Sequence, residues 1–158
     1  MQNALLVADF SDYLQYTNMT AEQIRQVFGE YDDYTYEVDF ANVPAAGETP
    51  QALTIQRDSH FVWEKSVFAS FPDNNQVLYS QYPQPNILVD IEDATGTRFL
   101  NNAPVPVPSV FGIPGFPYVL PCPRLIRSNT TFRFTLTNPG AVAQNLKLSL
   151  IGKKFYRM

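Results

Sequence analysis

The chain has 158 residues, of which 45% are hydrophobic, 14% aromatic and only 16% charged, a balance that excludes an intrinsically disordered polypeptide and suits one domain with an extended arm. No apolar run is long enough to span a bilayer, and the start Met1-Gln2-Asn3-Ala4 lacks a basic then apolar leader, so neither membrane insertion nor classical secretion is expected. The net charge of -4 conceals an asymmetry: residues 1–79 carry 12 acidic and 3 basic side chains, residues 80–158 carry 3 acidic and 8 basic. Halves of -9 and +5 either pair with each other in the fold or present opposite faces to neighbouring subunits.

The first helix signal is Thr20-Ala-Glu-Gln23, a capping box followed by Ile24, Val27 and Phe28 at helical spacing and Gly29 as a stop. Two to three turns are unstable alone, so this apolar stripe must dock on something. From Tyr31 to Phe40 acidic residues alternate with Tyr34, Tyr36, Val38 and Phe40, the period of a strand. The run from Val43 to Pro50 reads as a linker, which divides the chain into an N-terminal extension, residues 1–47, and a body, residues 48–158. Within the body, strands are predicted around Leu53 and Ile55, from His60 to Ser70 with a bulge, from Asn86 to Asp93, from Thr130 to Thr137, and through Leu146, Leu148 and Leu150. A turn at Thr95-Gly96 followed by Arg98-Phe99-Leu100 suggests a hairpin. Seven of the 13 prolines fall between Pro104 and Pro123, so that stretch is expected as extended edge segments and turns, neither helix nor central strand. About eight short strands imply an all-β, antiparallel, jelly-roll-like β-sandwich with an N-terminal arm holding one short helix.

Candidate chemistry is sparse. His60 is the one histidine and lies beside Asp58 and Ser59, whereas triads are assembled from distant segments and no G-x-S-x-G elbow is present. Cys122 sits between two prolines with no identifiable base, which favours a structural thiol; as the one cysteine it cannot form an internal disulfide. Asp32, Asp33, Glu37 and Asp39 lack calcium-loop spacing and alternate as a solvated strand face would. One Cys and one His cannot furnish a zinc site, and no glycine-rich loop marks a nucleotide site, so no cofactor is expected. Twelve Phe, nine Tyr and Trp63 raise sugar stacking as an option, against the simpler reading that the rings fill the core and line interfaces. Lys153, Lys154 and Arg157 make too small a basic patch for nucleic acid.

Several features taken together carry a resemblance. They are the I-x-V-x-I-x-D strand from Ile87 to Asp93 with its Thr95-Gly96 turn, the prolines around Ser109-Val-Phe-Gly112, and Pro121-x-Pro-Arg124. The T-F-R-F-T-L-T-N strand and the L-x-L-x-L-x-G strand ending in Phe155 and Tyr156 complete the pattern. Over roughly Phe61 to Tyr156 the chain resembles small β-sandwich structural proteins of tailed bacteriophages, the cement or decoration subunits of the head. The resemblance implies a non-enzymatic virion protein on the capsid surface, made in the host cytoplasm. Its partners would be the major capsid protein and copies of itself, with no nucleic acid and no membrane. Interface candidates are Leu5, Phe10, Tyr13, Tyr16, Ile24 and Phe28 in the arm, Val105, Val107, Phe111 and Phe116 in the proline-rich loop, and Phe155 and Tyr156 at the end. The alternative is a tail or baseplate module that binds another virion protein or host glycans through Trp63 and exposed tyrosines.

Overall fold

The computed structural model describes residues 20, 22, 26, 29–72, 86–98, 100–141 and 143–156. Its strands are β1 (Tyr31–Val43), β2 (Gly47–Thr54), β3 (Ser59–Pro72), β4 (Leu88–Asp93), β5 (Val105–Pro106), β6 (Tyr118–Ile126), β7 (Thr131–Asn138) and β8 (Gln144–Tyr156). They form two four-stranded sheets, β1-β8-β3-β6 and β2-β7-β4-β5, with antiparallel pairing between neighbours. The protein is therefore an all-β sandwich, as its alternating sequence pattern predicts. The pairs β1–β8, β2–β7, β3–β6 and β4–β5 are those of one long two-armed ribbon. Winding that ribbon sets β8 beside β3 and β7 beside β4.

This winding lays the acidic first half of the sequence against the basic second half. Lys147 reaches Asp39 at 3.4 Å, Lys153 reaches Asp33 at 3.4 Å and Glu64 at 3.5 Å, and Lys154 stands 3.6 Å from Asp58. The charge asymmetry is thus partly met within the fold, in pairs whose exposed members contribute little each.

Inward-facing residues of both sheets fill the core: Tyr36, Val38 and Phe40 from β1, Leu146, Leu148 and Leu150 from β8, Phe132, Phe134 and Leu136 from β7, Val89 and Ile91 from β4. Burying each such side chain favours folding by about 1.5–3 kcal/mol. β7 reads Phe132, Phe134, Leu136 buried against Thr131, Arg133, Thr135, Thr137 outside, because it pairs on both edges and must keep strict alternation. The bulge expected in β3 lies between Trp63 and Lys65, where Glu64 is the extra residue opposite β8. The Trp63 indole stabilises it by donating to the Lys65 carbonyl at 2.9 Å and the Ser66 hydroxyl at 3.0 Å. Opposite the bulge stands Gly152, where an added Cβ would lie 1.8 Å from the Val62 carbonyl oxygen, so only glycine fits this crossing.

Three expectations need correction. Residues 31–47 are not part of an extension: β1 is a full strand of its sheet and the turn after Val43 joins it to β2, so the body begins at Tyr31. The proline-rich run, expected as extended segments and turns without helix, contains one turn of 3-10 helix at Val107–Ser109. Proline is accepted there because a first helical turn needs no N–H at that position. The hairpin after β4 is only a turn with a single Glu92–Arg98 bridge. Asp90 draws Arg98 to 3.2 Å, and the chain folds back to deliver β5 as the partner of Leu88 and Val89 in β4.

Candidate functional site

The surface that stands out lies where the β5–β6 connection meets β6. Val107 donates its N–H to the Ile87 carbonyl at 2.9 Å, and its side chain and that of Phe111 are both fully buried. Gly112 then joins β3 through two backbone hydrogen bonds, to Phe68 at 2.7 Å and Ser66 at 3.0 Å. From this anchored base the turn Ile113–Phe116 projects outward, closed by the Phe116 N–H on the Ile113 carbonyl at 2.9 Å. Gly115 takes φ +94°, a conformation closed to most side chains, which lets Phe116 sit at the tip. Phe116 is 79% exposed and Val119 is 59% exposed, the two large apolar side chains most given to solvent among the described residues.

Prolines shape the adjoining strand. Between the pairs Trp63–Arg124 and Lys65–Val119, one residue of β3 faces four of β6, Leu120 to Pro123. The outlying loop opens a shallow cavity of about 180 Å³ lined by Leu100, Val110, Tyr118, Leu120, Pro121 and Arg124. It offers apolar walls, one phenol and one guanidinium, a lining suited to an apolar or aromatic group that carries an acceptor.

Only part of the expected interface is on this surface. Phe116 is exposed and Val105 and Tyr156 are half-buried. Val107, Phe111 and Phe155 are fully buried, a correction, since a side chain filling the interior cannot meet a partner. Leu5, Phe10, Tyr13, Tyr16, Ile24 and Phe28 lie outside the described residues. Val119 and the cavity were not anticipated; their signal is the proline pair at 121 and 123 inside an otherwise apolar stretch, which forces a strand to bow.

The remaining candidates are structural in their geometry. His60 is buried and its Nδ1 accepts the Ser128 backbone N–H at 3.1 Å, tying β3 to the β6–β7 turn. Trp63 is 1% exposed with its N–H engaged, so it cannot stack on a sugar, and every described tyrosine is buried or half-buried. At the opposite corner Lys154 is nearly enclosed: it lies over the Tyr34 ring at 5.0 Å and the Tyr156 ring at 5.1 Å and donates to Gln56. The Tyr156 hydroxyl donates to Asp32 at 2.7 Å, a bond that pushes the phenol up to about 12. Burial raises the Tyr36 phenol as well. Asp32, Asp33, Glu37 and Asp39 stay exposed along edge strand β1. Among the described residues no group of three His, Cys, Asp or Glu could hold a metal ion, and no helix is long and apolar enough to cross a membrane.

No family model, no curated protein and no solved structure matches the chain.

Proposed function

We propose that this protein is a non-enzymatic virion structural subunit that binds the outer surface of a capsid shell and reinforces it, with the turn carrying Phe116 as its leading contact. The observation that carries the reading is an exposed aromatic ring on a turn whose base is already fixed to the core. Such a ring desolvates on binding without a large ordering cost, which is how interface anchors behave. The ribbon winding, with strands one to four paired to eight to five, supports reading the sandwich as a jelly roll, an architecture that recurs in viral capsid and lectin domains; this is support by analogy of fold. The sequence resemblance to head cement proteins points the same way. Repetition over a lattice multiplies a modest single-site affinity into firm attachment.

Cosedimentation with shells assembled from the major capsid protein of the same source is the test. Saturable binding at a fixed ratio is expected, together with at least tenfold weaker binding of Phe116→Ala, the effect of losing a central anchor. Absence of binding to shells would overturn the cement role, and binding to isolated tails instead would place the protein there.

A further inference from the structure

The cavity beside the Phe116 turn has polar groups that the fold itself does not use. Arg124 stands opposite Trp63 in the β3–β6 ladder, so it roots on the inward side of an edge strand, and it lines the cavity. Other cations of the two sheets meet carboxylates: Arg98 with Asp90, Arg133 with Glu92, Lys147 with Asp39, Lys153 with Asp33 and Lys154 with Asp58. Among the described residues Arg124 has no ion-pair or hydrogen-bond partner, and neither has the hydroxyl of half-buried Tyr118. Arg57, Lys65 and Arg127 also lack a carboxylate there, but they lie outside this lining, which holds no acidic side chain.

Another wall carries strain. Leu100 takes φ +71°, a left-handed conformation that large side chains rarely adopt, and lines the same cavity. The next residue, Asn101, donates from Nδ2 to the Ala103 carbonyl at 2.6 Å, while its Oδ1 is buried with no hydrogen-bond partner. Strained backbone and orphaned polar atoms gather where a chain is shaped for a ligand rather than for its own packing.

Size and charge select the occupant. At about 180 Å³ the cavity is too small for a sugar chain or a nucleotide, whereas roughly 150 Å³ suffices for a benzene ring. It admits one aromatic or branched aliphatic side chain, with a carboxylate at the rim for Arg124 and Tyr118 to hold. A free molecule that small binds an open site no tighter than roughly millimolar. Such an occupant must belong to a larger contact, and the Phe116 turn, two residues from Tyr118, supplies one.

We infer that the cavity receives an aromatic or branched aliphatic side chain adjoining a carboxylate, presented by the shell protein on which Phe116 docks. The identity of that partner rests on the virion reading; the chemistry of the cavity does not. An inward charge on an edge strand can instead serve only to discourage strand pairing, and such a guard would not tell an acid from an alcohol.

The first test titrates the isotope-labelled full chain with phenylacetate and with phenylethanol, followed by nuclear magnetic resonance. Shifts at Tyr118, Leu120 and Arg124 are expected at millimolar phenylacetate, with the alcohol at least tenfold weaker and Arg124→Gln bringing the two together. No shifts at the cavity, or equal binding of acid and alcohol by the native chain, would overturn the proposal. Micromolar binding of phenylacetate would overturn the tethered occupant in favour of a free acid. The second test fills the cavity with Val110→Phe, which should weaken cosedimentation with shells at least tenfold, as should Arg124→Gln. Undiminished binding of both variants would overturn the occupant and leave the Phe116 contact standing. Failure of the native chain to bind shells would overturn the virion reading and this partner together, while the titration still decides whether the cavity takes a carboxylate.

Discussion

Strands β7 and β6 are about equally long and differ in every other respect. β7 is paired on both edges, and strict alternation of buried Phe132, Phe134 and Leu136 with outward Thr131, Arg133, Thr135 and Thr137 satisfies its two ladders and its inner face. β6 is an edge strand with one partner, so it can carry Pro121 and Pro123, lose register for four residues, and bow outward to frame a cavity beside Phe116. Two-sided pairing fixes the fold, and one-sided pairing leaves the sequence room to shape a surface.

Five changes sharpen or break this contrast. The largest effect is expected from Gly152→Val in the doubly paired β8, where the new side chain collides with the Val62 backbone; failure to fold, read as loss of the cooperative thermal transition, is the expected outcome. Phe134→Ala in β7 removes a fully buried ring and should destabilise by about 3–5 kcal/mol in urea unfolding. Its counterpart Phe116→Ala should change stability by less than about 0.5 kcal/mol while weakening attachment, and a large loss of stability would show that the turn serves the fold.

Replacing both Pro121 and Pro123 by threonine should cost little stability and restore a β6 edge able to pair. Increased self-association detected by sedimentation is the expected outcome, and an unchanged sedimentation profile would mean that the prolines do not guard this edge. The smallest effect lies at the other edge, where Tyr156 of β8 holds Asp32 of β1. The folded phenol titrates at about 12 against an ordinary value of 10.0, so its stabilising contribution is complete below pH 10 and is lost as pH rises through 12. The difference in melting temperature between the native chain and Tyr156→Phe should vanish over that window. Asp93 has the opposite sign: hydrogen bonds from Thr95 and Thr97 hold its carboxyl below the usual 3.8, so the turn after β4 loosens only as pH falls beneath that value.

The same contrast explains what the sequence reveals. β1, β4, β7 and β8 are legible because a half-buried strand prints its two faces as a period of two: Tyr36, Val38 and Phe40 in β1, Leu146, Leu148 and Leu150 in β8. β6 is not legible, since proline is a breaker in any local reading and only the edge position makes it acceptable. Alternation also does not say which face is inside. Val107 and Phe111, expected at an interface, turn inward because the 3-10 turn and the Gly112 bridge rotate the loop over the core. Phe116, four residues further along the chain than Gly112, faces solvent. The boundary at residue 47 was misplaced because a tight turn between two strands of one domain has the same composition as a linker.

Charge segregation has a consequence for how the chain finds its structure. Pairing β1 with β8 brings together segments more than a hundred residues apart, the kind of long loop closure that makes β topologies slow to fold. In the unfolded chain the -9 half and the +5 half attract before any register exists, and that attraction biases the first encounter toward the ribbon the native fold contains. Added salt screens this guidance over distances beyond about 8 Å, while the native ion pairs at close range add little to the final stability. Raising ionic strength should therefore slow refolding more than it lowers the unfolding free energy, so that much of the value of this charge pattern is kinetic.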